Sequence, residues 1–199
     1  MRSSTKVVLV ALLAGALGAA ASLMTAGPGP LLRTELGQRL LGSAFSATAP
    51  TPPAGVTVTR RGQRIPPLAL PDLSGQTVAL SSLHPGRPLL VNVWATWCGP
   101  CIEEMPELQR YAASQGTTGV QVVGIALDDA DSVAAFLRKI PVSYPILLQA
   151  PGPADAGVRL GNPRGVLPYS VLVSADGTLL KQRIGPFVGG EIQAWAQSR

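Results

Sequence analysis

The chain has 199 residues, 46% hydrophobic, 14% charged and 5% aromatic, with a formal net charge of +5. That length holds one domain with appendages rather than two large ones, and ordinary apolar content with few charges excludes a disordered polyelectrolyte. Two cysteines and one histidine exclude a closed structural zinc site, which takes about four such ligands, and a small disulfide-rich scaffold.

The charge is not where a nucleic-acid binder would carry it. Residues 58–199 hold 12 Lys/Arg against 10 Asp/Glu, so most of the excess lies in residues 1–57, as Arg2, Lys6, Arg33 and Arg39 against Glu35. No Lys/Arg cluster tracks a phosphate backbone, so no nucleic-acid partner is expected. Residues 7–24 (VVLVALLAGALGAAASLM) run 18 positions without a charge behind Arg2 and Lys6. Two readings fit that run. As a signal peptide it would be cut near Ala19-Ala20-Ala21. As a signal-anchor it just reaches the length that spans a hydrocarbon core of about 30 Å. The anchor is preferred because the apolar stretch runs past the best cleavage site. Both readings export the rest of the chain, and Arg2 and Lys6 hold the N-terminus on the cytoplasmic side. The expected location is extracytoplasmic or periplasmic, tethered to the inner membrane by residues 7–24, with a cleaved soluble form as the alternative.

Residues 25–57 are rich in Gly, Pro, Ala, Ser and Thr, a composition expected to form a flexible linker, with a short amphipathic piece expected to be helical at Leu31–Leu41. The folded domain is expected over residues 58–199. Its elements follow in order. Leu68–Leu70 and Thr77–Leu80 flank the turn-rich PDLSGQ and predict a hairpin. Leu89–Trp94 (LLVNVW) is nearly all apolar, as in a strand buried on both faces. A helix is expected from Pro100 to about Ser114, with Ile102, Met105, Leu108 and Ala112 on one face. Val120–Leu127 predicts a second buried strand, and Asp128 and Asp129 are cap candidates for a helix through Lys139. Tyr144–Leu148 predicts a short strand and Ala154–Leu160 a short helix. Tyr169–Ser174 and Thr178–Ile184 enclose Ala175-Asp176-Gly177, a hairpin signal, and Glu191–Gln197 closes with a helix. Strands alternating with helices, then a hairpin, predict an α/β fold with a mixed sheet.

Both cysteines lie in Trp97-Cys98-Gly99-Pro100-Cys101, between an expected strand and an expected helix. A helix N-terminus presents unpaired N–H groups and about half a positive charge, which stabilises a thiolate. Cys98 is therefore the expected attacking thiol. Cys101, one turn on, is within reach to close a disulfide with it. Pro100 is tolerated in a first turn, and Gly99 lets a partner polypeptide approach. The chemistry this predicts is thiol–disulfide exchange without a cofactor. A metal reading lacks partners, since His84 is the sole histidine and sits in a turn-like HPG. A purely structural bridge would close almost no loop. Trp97 is expected to pack beside Cys98 and shield it, Trp94 to be core, Trp195 to be a contact of the last helix, and Glu103 and Glu107 to be solvated.

The run VNVWATWCGPCIEEMPEL resembles the active-site segment of the TlpA/ResA-like thiol–disulfide oxidoreductases of the thioredoxin superfamily, whose pattern N-x-W-A-x-W-C-x-P-C-x-x-E-x-P is met at every fixed position. GVLPYSVLVSADG resembles, more loosely, the family's strand entered through a cis proline. The resemblance spans about residues 64–199. It implies a thioredoxin-like fold, a central mixed sheet flanked by helices behind an N-terminal hydrophobic segment. It makes Pro168 the cis proline, with Leu167 offering backbone to the substrate beside Cys98. Trp97, Gly99 and Pro100 would be further substrate contacts. Thioredoxins proper carry an aspartate where this chain has Asn92, and the resemblance offers Glu104 as the replacement that takes the resolving thiol's proton. Pro106 is expected to bend its helix. The implied activity is reduction of specific protein disulfides, such as those of cytochrome c or copper-site maturation, with electrons from a transmembrane thiol–disulfide reductase. Two other classes stand beside it. A peroxiredoxin-like thiol peroxidase would want a hydroxyl three residues before the cysteine, and Thr96 is two before. A copper-binding chaperone would want wider cysteine spacing and a histidine.

Overall fold

The structure, a computed structural model, describes residues 34–197 together with Val7, Val8 and Val10. Apart from those valines, the apolar segment 7–24 lies outside the described residues. Among the described residues no helix is long and apolar enough to cross a membrane. Contacts divide the chain into two units, Met1–Leu41 and Gly42–Arg199.

Helix α1 spans Glu35–Ala47, inside the stretch expected to be flexible and past the predicted end at Leu41. The Thr34 hydroxyl accepts the Gly37 N–H at 3.0 Å and caps it. Within the second unit, the Arg164 guanidinium lies 5.3 Å from the Phe45 ring centre and donates to the Thr48 hydroxyl at 2.7 Å. The amphipathic piece expected to be helical at Leu31–Leu41 is thus helical from Glu35, and the helix runs six residues further, through Ala47.

Strands β1 (Ala69–Pro71) and β2 (Thr77–Ala79) form the expected hairpin. The Asp72 carboxylate holds its turn by accepting the Ser74 and Gln76 N–H groups at 2.8 and 3.0 Å. The main sheet comprises β3 (Leu89–Trp94), β4 (Gln121–Leu127), β5 (Ile146–Gln149), β6 (Tyr169–Val173) and β7 (Leu179–Ile184). Its order is β5-β4-β3-β6-β7, with β3, β4 and β5 parallel and β6 and β7 antiparallel to their neighbours. The helices are α2 (Gly99–Gln115), α3 (Ala130–Leu137), α4 (Ala156–Arg159) and α5 (Glu191–Gln197). The mixed sheet flanked by helices is the predicted architecture.

The period-two alternation of a strand sorts central β3 onto two cores. Leu89, Val91 and Val93 pack with Ile125, Leu147, Val171 and the β1–β2 hairpin. Leu90 and Trp94 face the other side, with α2 (Cys101, Met105, Leu108), Val133 of α3 and Ile192 of α5. Asn92, by the same alternation, points into this second core as a polar side chain only 1% exposed. Gly124 of β4 leaves room there: a Cβ at that position would meet Ile146 Cδ1 at 2.6 Å and Trp94 Nε1 at 3.1 Å. The two aspartates before α3 divide their roles. Asp129 caps the helix by accepting the Ser132 N–H at 2.9 Å. Asp128, expected as a cap, instead accepts the N–H of Thr96 at 3.3 Å and its hydroxyl, tying the end of β4 to the loop before Cys98.

Candidate active site

The site starts where β3 ends at the middle of the sheet and α2 begins. Cys98 is the N-cap residue of α2 and Pro100 lies in its first turn. The Cys98 carbonyl accepts the N–H groups of Cys101 and Ile102, both at 3.1 Å, which starts the helix and turns both side chains to the same side. The two sulfurs are joined in a disulfide, with Cα atoms 5.3 Å apart. Cys98 keeps 6% of its surface exposed and Cys101 none. An incoming sulfur can therefore reach the first cysteine and not the second. Helix α2 runs unbroken through Pro106, whose ring lies on the exposed side.

Pro168 enters the site from the neighbouring strand. The Leu167–Pro168 peptide is cis, as the resemblance implied. Tyr169 pairs with Val93 across β3 and β6, so Pro168 sits at the same sheet end as the start of α2. Leu167 packs against both cores, including the one that holds the two cysteines. The Pro168 carbonyl accepts the Gly185 N–H at 2.9 Å, fixing the end of β7 beside it. His84 is buried in its turn with Nδ1 2.9 Å from the Arg87 carbonyl, remote in the fold from the cysteine pair's elements.

Glu104 lies one turn past Cys101 on the buried face of α2 and is 1% exposed. Oε1 accepts the Asn92 amide at 2.7 Å, and Oε2 accepts the Phe187 backbone N–H at 2.9 Å. Burial raises its pKa from 4.5 to about 7, against the lowering effect of the Phe187 and Asn92 hydrogen bonds and the Arg183 charge. Loss of solvent around a carboxylate penalises its charged form more than two donors restore. A group that titrates near neutrality, one helical turn from a buried sulfur, can exchange protons with it at ordinary pH.

Sequence reasoning missed the surroundings of this carboxylate. Asn92 is more than a substitute for an aspartate: its amide also donates to the Ser170 hydroxyl at 3.0 Å, linking Glu104 to β6. Arg183 is 3% exposed on β7. It donates to Glu191 at 2.6 Å and to the Pro186 carbonyl at 2.7 Å, and stacks 4.6 Å from the centre of the Phe187 ring. Lys181, also buried, donates to the Trp195 carbonyl at 2.8 Å. The available signal was the strand period: Leu179, Lys181 and Arg183 alternate, so a strand that buries the first buries the other two. Glu107, expected to be solvated, is 8% exposed and accepts the Gly190 N–H at 2.9 Å. It lies on the same buried helix face as Glu104, and the glycine-flanked loop between β7 and α5 brings donors to both.

Trp97, expected to pack beside Cys98, is itself 67% exposed and forms one wall of a surface groove with Leu73, Leu127 and Asp128. Trp94 is fully buried, 5.3 Å from Phe136, and Trp195 meets Phe187 edge-on at 5.1 Å, both as expected.

The AhpC/TSA family profile matches residues 61–182. The chain is 30% identical over 127 residues to the thiol–disulfide oxidoreductase ResA of Bacillus thuringiensis (strain Al Hakam), covering 62% of this chain and 69% of that protein. It is 34% identical over 134 residues to the thiol:disulfide interchange protein DsbE of Allochromatium vinosum, covering 66% and 69%. The thioredoxin-related protein from Neisseria meningitidis serogroup B superposes with a TM-score of 0.56 at 35% identity, over 64% of this chain and 94% of that one. With a disulfide at the head of a helix, a cis proline beside it and these relatives, the chain belongs to the AhpC/TSA family and, within it, to the thioredoxin-like protein thiol–disulfide oxidoreductases of the ResA type.

Proposed function

We propose that this enzyme reduces specific protein disulfides outside the cytoplasm. The observation that carries the reading is the pairing of a reachable Cys98 at a helix N-terminus with a fully buried Cys101 and the buried Glu104 one turn further on. In the reduced enzyme the Cys98 thiolate, stabilised by the helix N-terminus, attacks one sulfur of a substrate disulfide. A mixed disulfide forms and the other substrate sulfur leaves as a thiolate that takes a proton from solvent. Glu104 then accepts the proton of Cys101. The Cys101 thiolate attacks the Cys98 sulfur, and the second substrate sulfur leaves as a thiolate that takes the proton held by Glu104. The substrate has gained two electrons and two protons, and the enzyme is left with the Cys98–Cys101 disulfide seen in the structure. A membrane thiol–disulfide reductant returns the electrons.

Leu167 and Pro168 offer the substrate backbone an edge beside Cys98, and Gly99 and Pro100 keep the approach low. The apolar segment 7–24 serves as the membrane anchor, and residues 25–57 link it to the catalytic domain at 58–199. An N-terminal residue near Ser22 in the purified native protein contradicts the anchor. The peroxidase alternative needs a hydroxyl free to meet a peroxide; the Thr96 hydroxyl instead donates to Asp128.

Equilibrium titration of the Cys98–Cys101 pair against dithiothreitol tests the direction. A potential near thioredoxin's, about −270 mV, supports a reductase, whereas one near about −120 mV makes the enzyme a disulfide donor.

A further inference from the structure

The groove beside Trp97 has a volume of about 530 Å³. It lies between the turn of the β1–β2 hairpin and the carboxyl ends of β4 and β5, and Leu73, Trp97, Leu127 and Pro151 supply apolar walls. Trp97 and Leu73 are 67% and 46% exposed, so apolar surface faces solvent on opposing elements, an arrangement that marks recognition sites more often than chance. Three carboxylates, Asp72, Asp128 and Asp129, line the same groove. Each is engaged only by hydroxyl or backbone N–H donors, and among the described residues none is paired with a lysine or arginine. In a chain of net charge +5 this is a local negative field over an apolar floor.

Trp97, which forms one wall of the groove, is the residue before Cys98, so the groove begins one residue along the chain from the reacting cysteine. A polypeptide whose disulfide reaches Cys98 must lay its flanking residues on the surrounding surface. We propose that the groove receives the segment of the substrate protein next to its disulfide, taking an apolar side chain among Leu73, Trp97 and Leu127 and a lysine or arginine against Asp72 and Asp129. This rests on the reading that Cys98 attacks protein disulfides, and it adds the substrate class: disulfides flanked by an apolar and a basic residue. The acidic field also steers such segments toward the site.

The test uses reduced full-length protein in detergent and three peptides with the same internal disulfide, flanked by Leu-Lys, Leu-Glu or Gly-Ser. Hydroxyethyl disulfide serves as a neutral small substrate that does not reach the groove. The expected kcat/KM for Leu-Lys exceeds that for Leu-Glu by about five- to tenfold at low salt, from two exposed charge contacts, and by less than about twofold at 0.5 M salt, where screening is short-ranged. Asp72→Asn keeps the turn-forming oxygen and removes the charge; it lowers the Leu-Lys rate about threefold. Leu73→Ser lowers both Leu-peptide rates about threefold and spares Gly-Ser. Neither variant changes the rate with hydroxyethyl disulfide. Equal rates for all three peptides, with the small disulfide still reduced, overturn the groove and leave the dithiol chemistry standing. Failure to reduce any disulfide removes that chemistry, and the groove's role with it. Self-association in sedimentation that Leu73→Ser abolishes would assign the groove to a second copy of the chain and overturn the proposal.

Discussion

Replacing Glu104 by glutamine removes a buried carboxylate whose pKa is raised to about 7. Its pKa stands at about 7 in the folded protein against 4.5 for a free side chain. At about 1.4 kcal/mol per pKa unit, that difference makes ionisation about 3 kcal/mol more costly in the fold than in the unfolded chain. The sign follows from proton linkage: the folded state holds the proton where the unfolded state has already released it, so this group's contribution is full below pH 4.5 and is lost as pH rises through about 7. The oxidised wild-type protein should therefore lose up to about 3 kcal/mol from this group between pH 4.5 and pH 8. The glutamine must turn its amide toward Asn92 or Phe187, where Glu104 accepts at 2.7 and 2.9 Å. That penalty is the same at both pH values and cancels when the variant is compared with wild type across pH. Urea unfolding of both oxidised proteins at pH 4.5, 6, 7 and 8 provides the assay. The gap between them should move in favour of the variant as pH rises, by about 3 kcal/mol in total. Parallel profiles would show that Glu104 ionises like an exposed carboxylate and would refute the reasoning. In the same variant, reduction of a protein disulfide at pH 7 should slow by about 100-fold or more if Glu104 takes the Cys101 proton.

Three further outcomes are expected. Cys101→Ser should accumulate a mixed disulfide with substrate on Cys98, visible as a higher-mass species on non-reducing gels and mapped by peptide mass; a bond through the residue at position 101 in the reciprocal Cys98→Ser protein, formed as fast, would reverse the roles. Arg183→Met should cost about 1–2 kcal/mol in chemical unfolding, because it removes the 2.6 Å ion pair with Glu191 and frees the loop held through Pro186. It should also move the Glu104 midpoint above its present value, since the Arg183 charge lowers it; an unchanged midpoint would separate the two groups. Gly161→Ala should lose about 3 kcal/mol or more, since φ is +108° and an added Cβ would lie 2.6 Å from the Thr59 carbonyl oxygen; wild-type stability by thermal unfolding would contradict that geometry.

What the sequence made legible was local. The nearly all-apolar run Leu89–Trp94, the spacing of Ile102, Met105 and Leu108, and the Ala175-Asp176-Gly177 turn each announce one element, and the structure has β3, α2 and the β6–β7 hairpin there. The cysteine pair was legible because both its residue types and its position at a strand–helix junction carry the chemistry. The environment of Glu104 was not, because its partners arrive from distant segments: Asn92 is 12 residues away and the Phe187 N–H 83. A backbone amide leaves no residue signature at all. Lys181 and Arg183 gave no sign of a buried role, since long cations ordinarily stay in solvent, whereas their strand register and aromatic neighbours keep both inside. Glu107 was misread for a related reason: its partners are N–H groups at the start of α5, which only the tertiary fold brings to it.

The central claim is that Cys98 is more acidic than an ordinary thiol because it heads α2. The rate of iodoacetamide alkylation of Cys98 in the reduced Cys101→Ser protein, followed from pH 4 to pH 10, measures this directly. A single inflection clearly below the free-cysteine value of about 8.5 is expected; an inflection at or above that value contradicts a thiolate stabilised by the helix N-terminus.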